Sequence, residues 1–480
     1  MLKTIFAKEL KRYTYSDLKI LLDCKDYNHL DLIIKKLKEY SILKTIRKDN
    51  EDIEELNYED EVIEEVSSNS DEIYYVFNYV GIVIVFEILI ACYPKYINNN
   101  KPLEEMKQII KVISKYDSKH KIIKMYNESD YSGSYNYLAM ALYLLNDYYE
   151  YGIYRNDQEI IETNGEGNII WDRTINETFM LISNNKPYYL ELKTKKNYYD
   201  DFDFFTVLHK IILTKISKEF DDSNIFELFD LAGVDLTDET LSDVGDIEYI
   251  SYKILKEINV VFNTRKLNLL KLFYTYINKD QSINDIECIS YYGTQSFNLV
   301  WEEVCAEIFD NKLDTKLKDM DKPIVCNDNN QKLIDVIEKP EWTYTGNLAA
   351  KTLIPDAITI YKNGEYKYFI ILDAKYYYPL LEKGQVPRRQ PGMESITKQF
   401  LYQLAYKKLI EDNGYEIRNI FILPTEEEKI IDKSSVTMDM FTKEPLKLKP
   451  ILVKFIPAVE AYDLYLLNKK IDVLKLLNNY

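Results

Sequence analysis

Apolar residues recur along this chain at two spacings, and the change from one spacing to the other marks its elements. Near the start, Leu30, Ile33, Ile34 and Leu37 return every three or four residues, the stripe of a helix that covers a core. Ser16 stands where a helix cap is expected, so a pair of short helices is predicted in the first module. From Val80 to Tyr93 the run "VGIVIVFEILIACY" is apolar almost throughout. It contains Glu87 and falls short of the ~20 residues a membrane span needs, so it reads as one or two buried strands ending at Pro94. "NNNKP" (Asn98–Pro102) is a loop before a helical segment from Leu103, and another helix is expected from about Tyr137 to Tyr149. "NGEGNIIWDRTIN" (Asn164–Asn176) predicts a turn and then a strand, and the chain onward to about Asp280 is mostly helical.

The last third carries the sharpest pattern. "FNLVWEEVCAEIF" (Phe297–Phe309) is an amphipathic helix bearing Glu302 and Glu303. "LIPDAITIYKNGEYKYFIILDAKYYYP" (Leu353–Pro379) is two apolar runs around Asn-Gly, the strongest short hairpin signal, because a type I′ turn needs positive φ at both central positions. With Asn363 and Gly364 as the loop, Lys362 faces Glu365 and Asp356 faces Ile371. Side chains alternate faces along a strand, so Asp356, Ile371, Asp373 and Lys375 share one face. Downstream, "KQFLYQLAYKK" puts Gln399, Tyr402, Gln403 and Tyr406 on one helical face.

Composition narrows the class. A chain of 480 residues suggests roughly three domains, and 46% hydrophobic with 14% aromatic content argues for folded cores. The five cysteines form no CxxC pair and no basic-then-apolar leader opens the chain, so the expected setting is cytoplasmic and reduced, with no membrane. A net charge of -18 argues against nucleic acid until its distribution is read. Met1–Lys48 holds twelve basic and six acidic residues, whereas Asp49–Glu72 holds twelve acidic and no basic ones. A second basic window, Lys383–Lys408, sets six cations against Glu394 alone; Lys383, Arg388, Arg389 and Lys398 are its candidate DNA contacts. The expected organisation is a multidomain α+β protein. Its segments are a basic helix-turn-helix or winged-helix-like module at 1–48, an acidic linker at 49–72, a middle domain at 73–285 with strands and then helices, and a C-terminal domain at 286–480 with a mixed sheet flanked by helices.

Two acids on one face of a core strand pair repel each other and are costly to bury, a condition that a divalent cation relieves. A hard ion such as Mg²⁺, with Mn²⁺ as a substitute, takes carboxylate and carbonyl oxygens, here Asp356, Asp373 and the Ala374 carbonyl. A lysine two positions past Asp373 can contact an attacking water and a phosphate, so Asp356, Asp373 and Lys375 outline a site for phosphodiester hydrolysis. Only His29, His120 and His209 occur, with no HxK pairing and no GxSxG, so histidine-dependent phosphodiesterase and serine-hydrolase chemistries find no support. A second acid-acid-lysine set, Asp172, Glu191 and Lys193, has a similar separation but lacks a preceding Pro and a following Gln/Tyr helix; it is expected not to converge.

These residues match the PD-(D/E)xK nuclease pattern, with Asp356 as the first acid and Asp373-Ala374-Lys375 as its second half. In that resemblance a helix glutamate joins the metal site. Glu302, directly after Trp301, is the better match, with Glu303 the other choice, and the Gln399 helix resembles the Gln/Tyr helix of RecB-like nucleases. Taken with "YVGIVIVFEILIACYPKYI", "DYYEYGIY" (Asp147–Tyr154) and "NGEGNIIWDRTIN", the chain resembles the LlaJI family of restriction endonucleases, relatives of the McrC nuclease subunit. The resemblance implies an Mg²⁺-dependent endonuclease that cuts double-stranded DNA in defence against foreign DNA, with a middle region that contacts a partner or DNA. It also implies a separate McrB-like AAA+ GTPase subunit; this chain contains no GxxxxGK[ST]. The alternative is a non-catalytic DNA-binding regulator or scaffold with a degenerate nuclease domain, against which the intact Asp356, Asp373 and Lys375 set speaks.

Overall fold

A computed structural model describes residues 3–47, 73–86, 88–99, 101–120, 136–199, 201–221, 223–278, 289–320, 330–364, 366–379 and 381–477. The acidic segment 49–72, together with Glu87, Cys288, Cys326 and Glu365, lies outside the described residues. The described elements are a mixture of helices and several separate sheets. The chain divides into two compact units, one of residues 125–227 and 231–288 and the other of 2–124, 228–230 and 289–480.

The second unit carries two larger sheets and two two-stranded ones. In the first, the strand Lys3–Lys8 runs parallel to Ile88–Tyr93, which forms a hairpin with Val80–Val85, which in turn pairs antiparallel with Ile289–Thr294. The apolar run from Val80 is therefore two strands, buried at every position, and a sheet covered on both faces leaves no reason for polar alternation. Gly81 lies opposite Gly293, with φ of 142° and 158°. A Cβ on Gly81 would stand 2.3 Å from the Tyr292 carbonyl oxygen, so only glycine lets the two backbones meet this closely.

The two predicted N-terminal helices form at Tyr15–Leu21 and Tyr27–Glu39. The first is capped by Thr14 instead of Ser16: the Thr14 hydroxyl accepts from Asp17 N at 3.1 Å and the Asp17 carboxylate accepts from Thr14 N at 2.9 Å. Threonine followed three residues later by an acid makes a reciprocal cap that Ser16, already inside the helix, cannot make. Leu18, Leu30, Ile33 and Leu37 pack into one core with Val83, Val85, Ile90, Cys92 and Ile289. An antiparallel ribbon, Leu43–Arg47 with Ile73–Phe77, follows the helices. The first module thus has no core of its own, unlike the separate 1–48 segment read from charge, because its first strand joins a sheet whose other members come from residues 80–93 and 289–294.

The other larger sheet of this unit has five strands. The hairpin Ala357–Asn363 and Tyr366–Ala374 stands at one edge, Glu416–Thr425 and Ile451–Pro457 follow in parallel, and Ile431–Val436 closes the far edge antiparallel. The helix Met393–Ala405 covers one face, where Ile358, Phe369 and Ile371 meet Tyr402, while Phe421 and Leu423 meet Ile396 and Phe400. The helix Phe297–Ile308 is tied to the strands through Trp301, fully buried, whose Nε1 donates to the Ile422 carbonyl at 3.3 Å.

The first unit combines helices, among them Tyr137–Tyr151, Phe204–Phe220, Ile247–Ile258 and Thr264–Asn278, with short antiparallel strands. "DYYEYGIY" serves as a staple here: Arg265 Nη2 donates to the buried Asp147 carboxylate at 2.6 Å and to the Gly152 carbonyl at 2.8 Å. Tyr154 N donates to His209 Nδ1 at 2.9 Å, and burial drives the His209 pKa down to about 3, so the imidazole is neutral. The segment read as a strand after the Asn164 turn is instead a helix, Trp171–Glu177, preceded by the two-residue strand Asn168–Ile169. Asp172 in its first turn and the Arg173–Glu177 pair one turn apart favour helix over strand. Among the described residues, no helix is long and apolar enough to cross a membrane.

The Gly81–Gly293 contact gives a direct test. Gly81→Ala should lower stability by about 2 kcal/mol or more, because the added Cβ meets backbone that cannot rotate away. Urea unfolding measures it, and a midpoint equal to the parent's would mean that the strands separate at no cost.

Candidate active site

The hairpin that positions the acids is closed one residue later than the Asn-Gly rule predicts. Asn363 remains in the strand and pairs with Tyr366, and Gly364, at φ 59°, supplies the left-handed backbone of the loop. Ile358 consequently faces Ile371 and Ala357 faces Leu372. Carried one residue beyond the ladder, this register sets Asp356 against Asp373 instead of Ile371. The displacement is two residues, an even number, so every side chain keeps the face expected of it.

Asp356 Oδ2 accepts from Ala374 N at 2.8 Å, and a side-chain hydrogen bond joins the Asp356 and Asp373 carboxyls. Lys375 Nζ stands 2.9 Å from Asp373 Oδ2, and Asp373 is only 5% exposed. Burial, then the charges of Asp373 and Glu302, push the Asp356 carboxyl far above the usual carboxylate range, with Lys375 opposing. Burial works to lower the Lys375 ammonium, but Asp373 and Asp356 outweigh it and hold the group above its ordinary value. The chain beyond is fixed by Lys375 N, which donates to the Ile422 carbonyl at 2.8 Å. On the other side, Asn311 clasps the first acid's segment, its Nδ2 donating to the Asp356 carbonyl at 3.4 Å and its Oδ1 accepting from Ile358 N at 3.0 Å.

Of the two helix glutamates, Glu302 faces the acids: burial raises its carboxyl, with Lys375 opposing and Asp373 adding to the shift. Glu303 acts instead on Tyr116 and Tyr465. Gln399 is fully buried, its Nε2 donates to the Ile371 carbonyl at 3.5 Å, and its Oε1 has no hydrogen-bond partner. Tyr402 completes this side by donating to the Ile354 carbonyl at 2.9 Å. Lys383, Arg388 and Arg389 lie exposed in the irregular segment before the Gln399 helix, whereas Lys398, on that helix, pairs with Glu394. The alternative set does not meet: Asp172 accepts from Asn176 on its own helix at 3.2 Å, Lys193 donates to Thr163 at 3.0 Å, and Glu191 is exposed.

A cavity of about 190 Å³ opens beside Lys375. Ala374, Lys375, Tyr376 and Glu302 line it, and so do Glu9, Lys44, Asn78 and Lys95 from the N-terminal strands and ribbon. Glu9, 6% exposed, accepts from Tyr376 Oη and from Lys95 N at 3.2 Å. No periodicity or spacing signals Glu9, Lys44 or Lys95, since their place depends on a parallel pairing across some eighty residues of chain.

Among the described residues, no group of three or more acidic, histidine or cysteine side chains is gathered closely enough to hold a metal ion as it stands. The donor set nevertheless fits a hard cation. Asp356 and Asp373 are brought together against their own repulsion, and the orphaned Gln399 Oε1 lies near the same strand. Such a pair needs a proton or a cation between its oxygens.

Residues 79–459 match the LlaJI restriction endonuclease family. The "Type II restriction enzyme BsuMI component YdjA" of Bacillus subtilis (strain 168) is 30% identical over 405 residues, covering 82% of this chain and 81% of that protein. The Thermococcus gammatolerans McrB AAA+ hexamers with bound McrC are similar at 13% identity over 97% of this chain and 99% of that one, with a TM-score of 0.37. The cryo-EM structure of the Thermococcus gammatolerans McrBC complex is similar at 15% identity over 62% and 85%, with a TM-score of 0.26. Likeness at those two scores is too weak to support a structural conclusion.

The acid pair predicts a pH dependence. Because the folded state raises the Asp356 pKa, its carboxyl favours folding below the unfolded carboxylate range, and that contribution is lost as pH rises toward the folded value. Asp356→Asn keeps an oxygen for Ala374 N and a donor for Asp373 while removing the ionisation. In metal-free buffer its melting temperature should exceed the parent's by more at about pH 8 than at about pH 5. A difference that does not vary with pH would show that the two carboxyls do not repel in the fold.

Proposed function

The chain belongs to the LlaJI restriction endonuclease family, and from that premise we propose that it is the DNA-cleaving subunit of a restriction system, hydrolysing phosphodiesters at Asp356, Asp373 and Lys375. The observation that carries this reading is the meeting of buried Asp373, half-buried Asp356 and Lys375 at one end of the hairpin. The five-stranded mixed sheet with its helices is read as the PD-(D/E)xK nuclease domain. The N-terminal helices with their ribbon are read as a winged-helix-like module. Asp356, Asp373, the Ala374 carbonyl and Glu302 would hold Mg²⁺ or Mn²⁺, which when bound polarises a phosphoryl oxygen and acidifies a water.

The chain's own groups supply the rest. Lys375 stays protonated beside Asp373, so its task is to donate to the scissile phosphate as negative charge grows there, not to remove a proton from water. Glu302, its carboxyl raised by burial, lines the cavity beside Lys375 as the helix acid of that set. Gln399 ties its helix to the Ile371 carbonyl and thereby fixes the strand that bears Asp373. Lys383, Arg388, Arg389 and Lys398 hold backbone phosphates of the duplex. The Bacillus relative is named a component, which supports work alongside other subunits; a separate McrB-like GTPase as one of them is read from the family resemblance.

With Mg²⁺ and the other components of its system, Asp373→Asn should lose cleavage by about a thousandfold or more while binding DNA within a few fold of the parent. Lys375→Ala should lose about a hundredfold or more at the chemical step. If Asp373→Asn cuts as fast as the parent, the site is wrong. A parent that binds DNA but never cuts it, across divalent metals and methylated or unmethylated substrates, would favour a non-catalytic regulator.

A further inference from the structure

The cavity beside Lys375 is polar and cationic in a way that the acids alone do not require. Lys44, Lys95 and Lys375 line it together with the amides of Asn78, Gln295 and Asn298. These side chains come from the N-terminal ribbon, the loop after the Ile88–Tyr93 strand, the start of the Glu302 helix and the end of the catalytic strand. Gln295 Nε2 already donates to the Tyr40 carbonyl at 2.9 Å and Asn298 bonds Glu302, so the three ammonium groups are what suits the cavity to oxygen anions on a flexible backbone.

We propose that this cavity is a DNA-backbone site in which Lys44 and Lys95 each hold a phosphate next to the scissile one, making the N-terminal strands a wall of the cleavage cleft. The inference rests on the nuclease reading of Lys375 and its two acids. Glu9 is what fixes the wall: its carboxylate takes a hydrogen bond from Tyr376 Oη, directly after Lys375, and another from Lys95 N. Those two neutral donors stabilise the Glu9 carboxylate, and the ammonium groups of Lys44, Lys95 and Lys375 outnumber Glu9 and Glu302 in the lining. Lys95 Nζ lies over the faces of Tyr376 and Tyr377, 4.8 and 5.5 Å from the ring centres, which holds the ammonium at the catalytic strand's end.

The basic character continues outward. Lys8 precedes Glu9, and its ammonium is lowered first by burial and then, against Glu426, by Lys11 and Arg389. Lys8 Nζ donates to Asn98 Oδ1 at 3.4 Å, three residues after Lys95.

The test uses the full chain in the Asp373→Asn background, so that binding is read without cutting, with a short DNA duplex as probe in fluorescence anisotropy across salt concentrations. Adding Lys44→Gln and Lys95→Gln should flatten the plot of log affinity against log salt by about 0.9 for each phosphate that is no longer held, and the double Lys→Arg variant should restore the slope. The single variants should each show about half the change of the pair, which keeps the test open if melting shows the double variant unfolded. In the Asp373 background, an unchanged slope in folded Gln variants overturns the inference, whether or not the parent cuts. A flattened slope with a parent that never cuts keeps the phosphate site and removes the nuclease reading. A flattened slope together with a raised KM in variants of the cutting parent supports both.

Discussion

Asp356 and Asp373 are held against each other where little water reaches them, and the C-terminal sheet is arranged around keeping them there. Two neighbouring carboxylates in a low dielectric cannot both be charged without a counter-charge, so the fold must supply proton, cation or ammonium. It supplies Lys375 on one side and the Ala374 amide on the other. The rest is rigidity. Parallel pairing with Glu416–Thr425 fixes the second acid's strand, Asn311 clasps the first, and the helices of Trp301 and Gln399 pack against the strands between them.

This constraint gives the N-terminal residues their importance. A basic module that stands as a separate segment in the charge pattern is built into the same unit as the acids, because its first strand lies parallel to Ile88–Tyr93. Glu9 at that strand's end then reaches Tyr376, one residue past Lys375. A carboxylate that looked like one of six scattered among twelve basic residues is the buried joint between the start of the chain and its candidate active site.

The hairpin shows how sequence rules succeed through parity. The Asn-Gly signal located the turn but not the loop residues, since Gly364 supplies a left-handed position and Asn363 keeps its ladder partner. The slip moved every cross-strand partner and no face. Had the displacement been odd, Asp356 would have pointed to the opposite face of the sheet from Asp373. The Gln/Tyr face fared similarly: its helical spacing was legible, while the bonds it makes, Gln399 to Ile371 and Tyr402 to Ile354, were not.

Local chemistry written in the chain determined the apolar strands at Val80–Tyr93, the helices of Leu30 and Trp301, the hairpin after Asp356 and the common face of Asp356, Asp373 and Lys375. Each depends on periodicity or on a turn only a few residues long. Tertiary structure alone decided that Asp356 stands opposite Asp373 and that Glu302 and not Glu303 turns toward them. It alone brought Glu9, Lys44 and Lys95 to Lys375. Those outcomes come from pairings across tens to hundreds of residues, where the free energy lies in the burial of a shared core and leaves no repeat in the sequence to read.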